Sequence, residues 1–438
     1  QRAWTGRGVV SLGAGALVAI LVFAAISSVN VALVRADIFY KQGQQFDSNR
    51  DWVGSVELYR QALRVRSTED HYMLFLGRAL LEQAKQAPLE GTTRLPQDLT
   101  LDDVLALKPE TVAQLGKEDL LRAAEVVLLQ AQKQNPLNTD HTANLARLYR
   151  TWADLAQDPE ERQALLEKSL AYYDQALQLS PNAAHLWNEK GATLVFLGRQ
   201  DEAEEVYKKS LALDDKFENT YLLLAELYEQ EGRTDDLKAI LEQGVQKVKR
   251  NDQLRSYLGV AQARGGDLDG AIQTTLALVE KNPNDVTALR NLAILYRDKG
   301  EPQEAIRWAQ RAIQAAGNNP SVVLPLGQMV AELYLQMGEP AQALAQYEEL
   351  RQLAPDDPSV LNGLANLYLS TNQVDKAVDA LETLARLQPE DYRYPWQLAQ
   401  ILAQTGQPAA AREQAQQALA LAPAEQKGAI QQFLDGLP

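Results

Sequence analysis

Cysteine is missing altogether from these 438 residues, which excludes disulfide frameworks, thiolate metal sites and cysteine nucleophiles. Histidine is nearly as scarce. His71, His141 and His185 are the only three, and each opens an apolar helical stretch at nearly the same register, as a scaffold position would. No Gly-x-x-x-x-Gly-Lys-Ser/Thr phosphate loop, His-Glu-x-x-His zinc pair or Gly-x-Ser-x-Gly nucleophile turn occurs in the chain. Adjacent carboxylates such as Asp214 with Asp215 and Asp356 with Asp357 fall between helices, where capping and solvation account for them. No catalytic residue, metal site or cofactor is expected. Basic residues are outnumbered, 43 against 58 acidic, and the net charge of -15 repels phosphate backbones, so nucleic acid is not an expected partner. Gly and Pro number 25 and 18, too few for a collagenous or proline-rich disordered chain, whereas 46% hydrophobic residues suffice for extensive burial.

Charge is also absent from Gly8 to Val34, a run long enough to cross a hydrocarbon core that needs roughly 20 apolar helical residues. A single transmembrane helix is expected there, because the apolar core of a cleaved signal peptide is shorter, about 7–15 residues. Gly13 and Gly15 are candidates for close contact with another membrane helix. Arg2 and Arg7 precede the run and Arg35, Lys41 and Arg50 follow it, which leaves its orientation open, with the extracytoplasmic side slightly favoured for the remainder.

What the rest of the chain has is a period of 34 residues. It shows in Gly43 and Gly77, in Ala343, Ala377 and Ala411, and in Pro355, Pro389 and Pro423. Each unit reads as two amphipathic helices, for example Leu361, Leu364, Ala365 and Tyr368, then Val374, Ala377, Val378 and Leu381. Gly198, Gly232, Gly300, Gly338 and Gly406 mark the turn inside a unit, and Pro136, Pro181, Pro283, Pro355, Pro389 and Pro423 mark the exit from it. Register breaks twice, at an insertion over 87–119 and at a shorter one around Gln157 to Gln163, and such insertions are expected to form loops on one face. Glu425 to Leu434 reads as a final helix covering the open end.

The units resemble tetratricopeptide repeats. Trp187, Gly191, Gly198, Ala203, Tyr207 and Ser210 follow that pattern, as do Tyr334, Gly338, Ala343, Tyr347 and Pro355, and Phe39, Gly43, Phe46, Ser55, Tyr59 and Ala62. The resemblance implies an all-α helical-hairpin solenoid of about ten repeats, here preceded by one transmembrane helix. The expected organisation is an N-terminal flank at 1–7, a transmembrane helix at 8–35, first repeat units at 36–86, an insertion at 87–119, the repeat solenoid at 120–423 and a capping helix at 424–438. In this family the first helices of the hairpins line a concave ligand surface. Here that implies Asn144, Arg147, Arg150, Asn188, Arg290, Asn291, Arg297, Asn362, Asn366, Arg393, Gln397 and Gln400 as candidate contacts, residue types that bond carboxylates and peptide backbones.

The expected function is a membrane-anchored, non-enzymatic scaffold that binds protein or peptide partners, with other membrane subunits as further partners. A second resemblance keeps an alternative open. Ala36, Asp37, Tyr40, Gln42, Gly43, Trp52, Tyr59, Ala62, Asp70, Tyr72 and the run Phe75 to Ala79 are similar to the tail after the last membrane helix of bacterial O-antigen ligase-like proteins. That resemblance implies a docking tail of a larger glycosyl-transferring protein, and the start at Gln1 rather than Met fits it.

Overall fold

The computed structural model describes Leu17 and residues 30–438. Their regular structure is helical, apart from an isolated bridge between Thr93 and Leu115. Two compact units divide the chain, Gln1–Glu231 and Gly232–Pro438. In the first, α1 (residues 30–48) and α2 (Trp52–Val65) are followed by α3 (Asp70–Gln86), the short α4 (Leu101–Ala106) and α5 (Pro109–Val112), and α6 (Lys117–Gln134). Then come α7 (Thr139–Ala153), α8 (Pro159–Leu179), α9 (Ala184–Phe196), α10 (Gln200–Leu213) and α11 (Glu218–Gln230). The second unit opens with α12 (Thr234–Lys247), α13 (Asp252–Arg264), α14 (Leu268–Lys281), α15 (Val286–Asp298), α16 (Pro302–Ala316) and α17 (Pro320–Gln336). It continues through α18 (Pro340–Leu353), α19 (Pro358–Ser370), α20 (Val374–Leu387), α21 (Arg393–Gln404) and α22 (Pro408–Leu421) to α23 (Ala424–Gly436). Within each unit, helices pack in consecutive pairs; α3 pairs with α6 across the insertion.

Turn chemistry sets this alternation. The turns expected at Gly198, Gly232, Gly300, Gly338 and Gly406 have φ between +70° and +80°, a region open to glycine without a Cβ penalty. Asn372 takes the same role between α19 and α20 at φ 58°, as asparagine tolerates this conformation best among the other residues. The six expected exit prolines each stand two residues beyond the end of a helix, where the missing N–H is not needed. Starts are fixed as firmly: the Asp285 side chain accepts from the N–H groups of Thr287 and Ala288, and Asp357 does so for Ser359 and Val360.

Hairpins close by seating a ring on a residue without a side chain. An added Cβ at Gly191 would lie 2.3 Å from the Tyr207 ring, and one at Gly43 would lie 2.6 Å from Tyr59. Both rings are fully buried.

One expectation falls largely outside the described residues, and two need amendment. The candidate span Gly8–Val34, with Gly13 and Gly15, lies outside the described residues except for Leu17 and residues 30–34, and among the described residues no helix is long and apolar enough to cross a membrane. Residues 30–48 form one helix, so no break separates residue 35 from the first hairpin, into which Ala36 is fully buried. Second, residues 87–119 are not an open loop. Val104, Val112 and Leu115 are buried, and the Leu105 carbonyl accepts from Arg60 Nε and Nη2 at 3.3 and 2.7 Å and from Arg64 Nε and Nη2 at 3.0 and 2.7 Å. Buried Asp119 holds the other end, accepting from Leu95 N at 3.2 Å and pairing with Arg122 at 3.1 Å. Third, the shorter insertion extends a helix: α8 has 21 residues where α10 has 14, with Asp158 capping its start. At the chain's end, Ile430 and Leu434 of α23 are buried with Ala415 and Ala418 of α22.

Because two guanidinium groups hold one carbonyl, removing both frees the segment. The double variant Arg60→Ala with Arg64→Ala is expected to lose about 2 kcal/mol locally, in the range for a deprived buried polar group. Limited proteolysis should then cut within residues 87–116 at least about tenfold faster while helical circular dichroism is retained, a rate ratio of tenfold corresponding to about 1.4 kcal/mol. An unchanged cleavage rate there would show that the two arginines do not hold the segment.

Candidate functional site

Alternate helices of the first unit leave one face uncovered by their own partners, and α3, α7 and α9 together line a groove of about 820 Å³. Residues at helical spacing supply its wall: His71, Phe75, Arg78, Glu82 and Lys85 from α3, then Asn144, Arg147 and Arg150 from α7, with Asp140 and Asp154 at the ends of that row. Ala192 and the exposed ring of Phe196 complete it from α9.

Some of these side chains are already committed. Arg147 grips Glu189 of α9 through Nε and Nη2, each at 2.7 Å, and the Tyr173 hydroxyl donates to the same carboxylate at 3.0 Å. Burial opposes ionisation of Glu189, but the Arg147 bonds outweigh it and hold the carboxyl below the usual range, while burial raises the Tyr173 hydroxyl. Asn144 is 6% exposed and spends its amide on the Asp140 carbonyl. His141 is fully buried, with Nε2 2.7 Å from Asp70 of α3, so it braces α3 against α7. At the groove's end, Tyr40 of α1 bonds His71 Nε2 at 2.8 Å and meets Phe75 edge-on with ring centroids 5.0 Å apart.

Arg78 and Arg150 make no bond in these braces, although the Arg150 charge helps to keep Glu189 ionised. Among the described residues neither guanidinium has a salt bridge or hydrogen bond, and Arg78 is exposed. The groove therefore presents two uncommitted bidentate donors beside the apolar faces of Phe75 and Phe196.

Of the sequence candidates, Asn144, Arg147 and Arg150 come together here. Asn188 does not serve as a free contact: it is buried and donates to Thr220 Oγ1 at 2.8 Å, because its register faces the next hairpin. In the second unit, Asn291 lines a separate small pocket. Arg297 is tied to Asp298, Arg393 to Asp391, and Asn362 to the Pro358 carbonyl. Arg290, Asn366, Gln397 and Gln400 are exposed. Sequence reasoning missed Phe75, Arg78 and Phe196 as site residues; for Arg78 and Phe196 the signal was a large cationic or apolar side chain at a position the hairpin leaves exposed, whereas Phe75 also packs on Tyr40 and Tyr59 and carried no such signal. Among the described residues no cluster of three or more His, Asp or Glu is arranged to hold a metal ion.

Comparison with known proteins bears on the repeats. Models of the tetratricopeptide repeat match residues 184–217, 258–320, 334–398 and 393–425. The chain is 22% identical over 300 residues to human protein O-mannosyl-transferase TMTC3, covering 66% of this chain and 32% of that protein. It is 26% identical over 165 residues to the bovine BBSome complex member BBS4, covering 38% and 32%. The chain thus spans about a third of the length of these curated relatives. A solved tetratricopeptide protein of Thermus thermophilus, TTC0263, is similar at 21% identity and a TM-score of 0.38, covering 52% of this chain and 99% of that one.

The Arg147–Glu189 brace has a pH signature. Glu189 titrates below its unfolded value of about 4.5, so its stabilisation is complete above that value and is lost as pH falls through the folded value. Melting followed by circular dichroism from pH 7 to pH 3 should show Glu189→Gln with a lower midpoint at pH 7 and a shallower decline below pH 4.5. Parallel curves for the variant and the parent would remove Glu189 from the acid response.

Proposed function

We propose, on the premise that this chain is a tetratricopeptide-repeat protein, that it works as a protein-interaction scaffold and takes an extended peptide segment in the groove of α3, α7 and α9. The carrying observation is the pair of uncommitted guanidinium groups, Arg78 and Arg150, in a groove whose other arginine is locked to Glu189. A carboxylate side chain or chain terminus gains bidentate bonds from such donors, and Phe75 and Phe196 offer apolar area to its neighbours. The braces between α3, α7 and α9 keep the groove preformed, which limits the ordering cost of binding. Against an array of 12-residue peptides of varied charge, the parent should retain acidic members, and the double reversal Arg78→Glu with Arg150→Glu should weaken them at least about tenfold, worth 1.4 kcal/mol. Retention of the same acidic peptides by the double reversal would sink this reading.

Anchoring at a membrane belongs to the same proposal. It is supported by the uncharged run Gly8 to Val34 and by Val31, Val34 and Ile38, which remain exposed on α1 although the same helix buries Ala36 in the first hairpin. The full chain should stay with the membrane pellet after alkaline carbonate extraction, as spanning proteins do. Complete release into the supernatant would refute the anchor and leave the groove untouched.

A further inference from the structure

In the second unit one hairpin keeps the glycine of this closure and lacks the ring. Tyr59 seats on Gly43 and Tyr207 on Gly191, in each case sixteen positions after the glycine. Gly259 of α13 keeps the bare position, yet sixteen positions later α14 carries Thr275 instead of a ring. An added Cβ at Gly259 would meet Thr275 Oγ1 at 3.1 Å, and beyond it only ordinary contacts with the Ala271 carbonyl at 3.8 Å and Thr274 Cγ2 at 3.9 Å. Elsewhere in this unit the corresponding pairs include Ala293 with Ala309 and Ala365 with Leu381, both without glycine. Beside buried Gly259 a hollow of about 190 Å³ remains, open to solvent, whose lining includes Val260, Arg264, Thr275, Asn291, Ile294 and Leu295.

The hollow is mostly apolar, with Arg264, Asn291 and Thr275 as its polar lining. Thr275 spends its hydroxyl on the Ala271 carbonyl at 2.7 Å, leaving no donor to demand a water. Asn291 at the rim is partly exposed, and its amide has no hydrogen bond among the described residues. An apolar cavity of about 150 Å³ suffices to take up benzene, so one aromatic side chain fits a space of this size.

We infer that this pocket receives an aromatic side chain, tyrosine or phenylalanine, presented by a peptide partner, whose ring takes the place that Tyr207 takes on Gly191 while Asn291 bonds the adjoining backbone. The ligand completes a hairpin that the chain leaves incomplete. This site lies in the second unit and shares no residue with the Arg78 and Arg150 groove.

The test uses the full chain with labelled Val, Leu and Ile methyl groups and p-cresol, the tyrosine side-chain analogue, as probe. Saturable shifts are expected at Val260, Ile294 and Leu295. Thr275→Tyr supplies the ring internally and should weaken the probe at least about tenfold, the equivalent of 1.4 kcal/mol. Val260→Trp, at a position 37% exposed, covers the mouth without entering the core and should do the same even if the tyrosine variant fails to fold. Absence of saturable shifts at these methyls, or equal affinity in parent and Val260→Trp, would overturn the inference. Because the probe carries no charge and reads methyls of the second unit, either outcome leaves the acidic-peptide reading of the first unit standing.

Discussion

Everything in this fold depends on how closely two helices of a hairpin can approach. At Gly191 the approach is close enough that a single Cβ would collide with the Tyr207 ring, and burying such a ring contributes about 1.5–3 kcal/mol. The small residue and the ring are one interaction: the first permits the distance and the second fills it. Repeated along the chain, with pairs such as Ala293 and Ala309 in place of glycine and ring, close approach builds the core from neighbours in sequence, so stability is close to a sum of local terms. It also fixes which faces are spent on packing, and functional positions are what remains.

That division explains why arginines one turn apart on α7 have different roles. Arg147 points at Glu189 of the neighbouring α9 and becomes part of the stack, with Tyr173 securing the same carboxylate. Arg150 finds no such partner. A paired guanidinium leaves the groove rigid, and an unpaired one leaves it a demand for charge. Removing the pair's carboxylate costs more than the pair is worth, because the partner is left half-buried and uncompensated. The brace thus serves specificity of arrangement, while the unbonded charge of Arg78 sits where solvent keeps it inexpensive.

The sequence made the hairpins legible because their punctuation is chemical. Gly198 and its equivalents demand a left-handed turn and Pro136 and its equivalents forbid a further helical turn, and both requirements can be read without coordinates. The insertion was visible as lost register, yet its folding was not, because the deciding contacts join Arg60 and Arg64 to a backbone carbonyl some forty positions away. Side-chain type carries no signal for such a bond. Asn188 misled for a related reason: an amide on the first helix of a hairpin looks free for a ligand until Thr220 of the next hairpin is placed against it. Phe196 was overlooked because an aromatic near a helix end reads as packing, and only its exposure separates it from the buried tyrosines.

Net charge and local charge point in opposite directions in this protein, and distance decides between them. The total of -15 repels an acidic partner far from the surface, but the Debye length is about 8 Å at physiological salt, so carboxylates on remote turns scarcely reach the groove. Within it, Lys85 is tied to Glu82 and Arg147 to Glu189, which leaves Arg78 and Arg150 among lining residues that also include Asp140 and Asp154. Alternation of the two signs along the wall disfavours a uniformly acidic chain and favours one whose carboxylates fall at the spacing of the two arginines. On the proposed peptide-binding role, selectivity would reside in pattern, with the long-range acidic field suppressing association with polyanions that carry charge at every step.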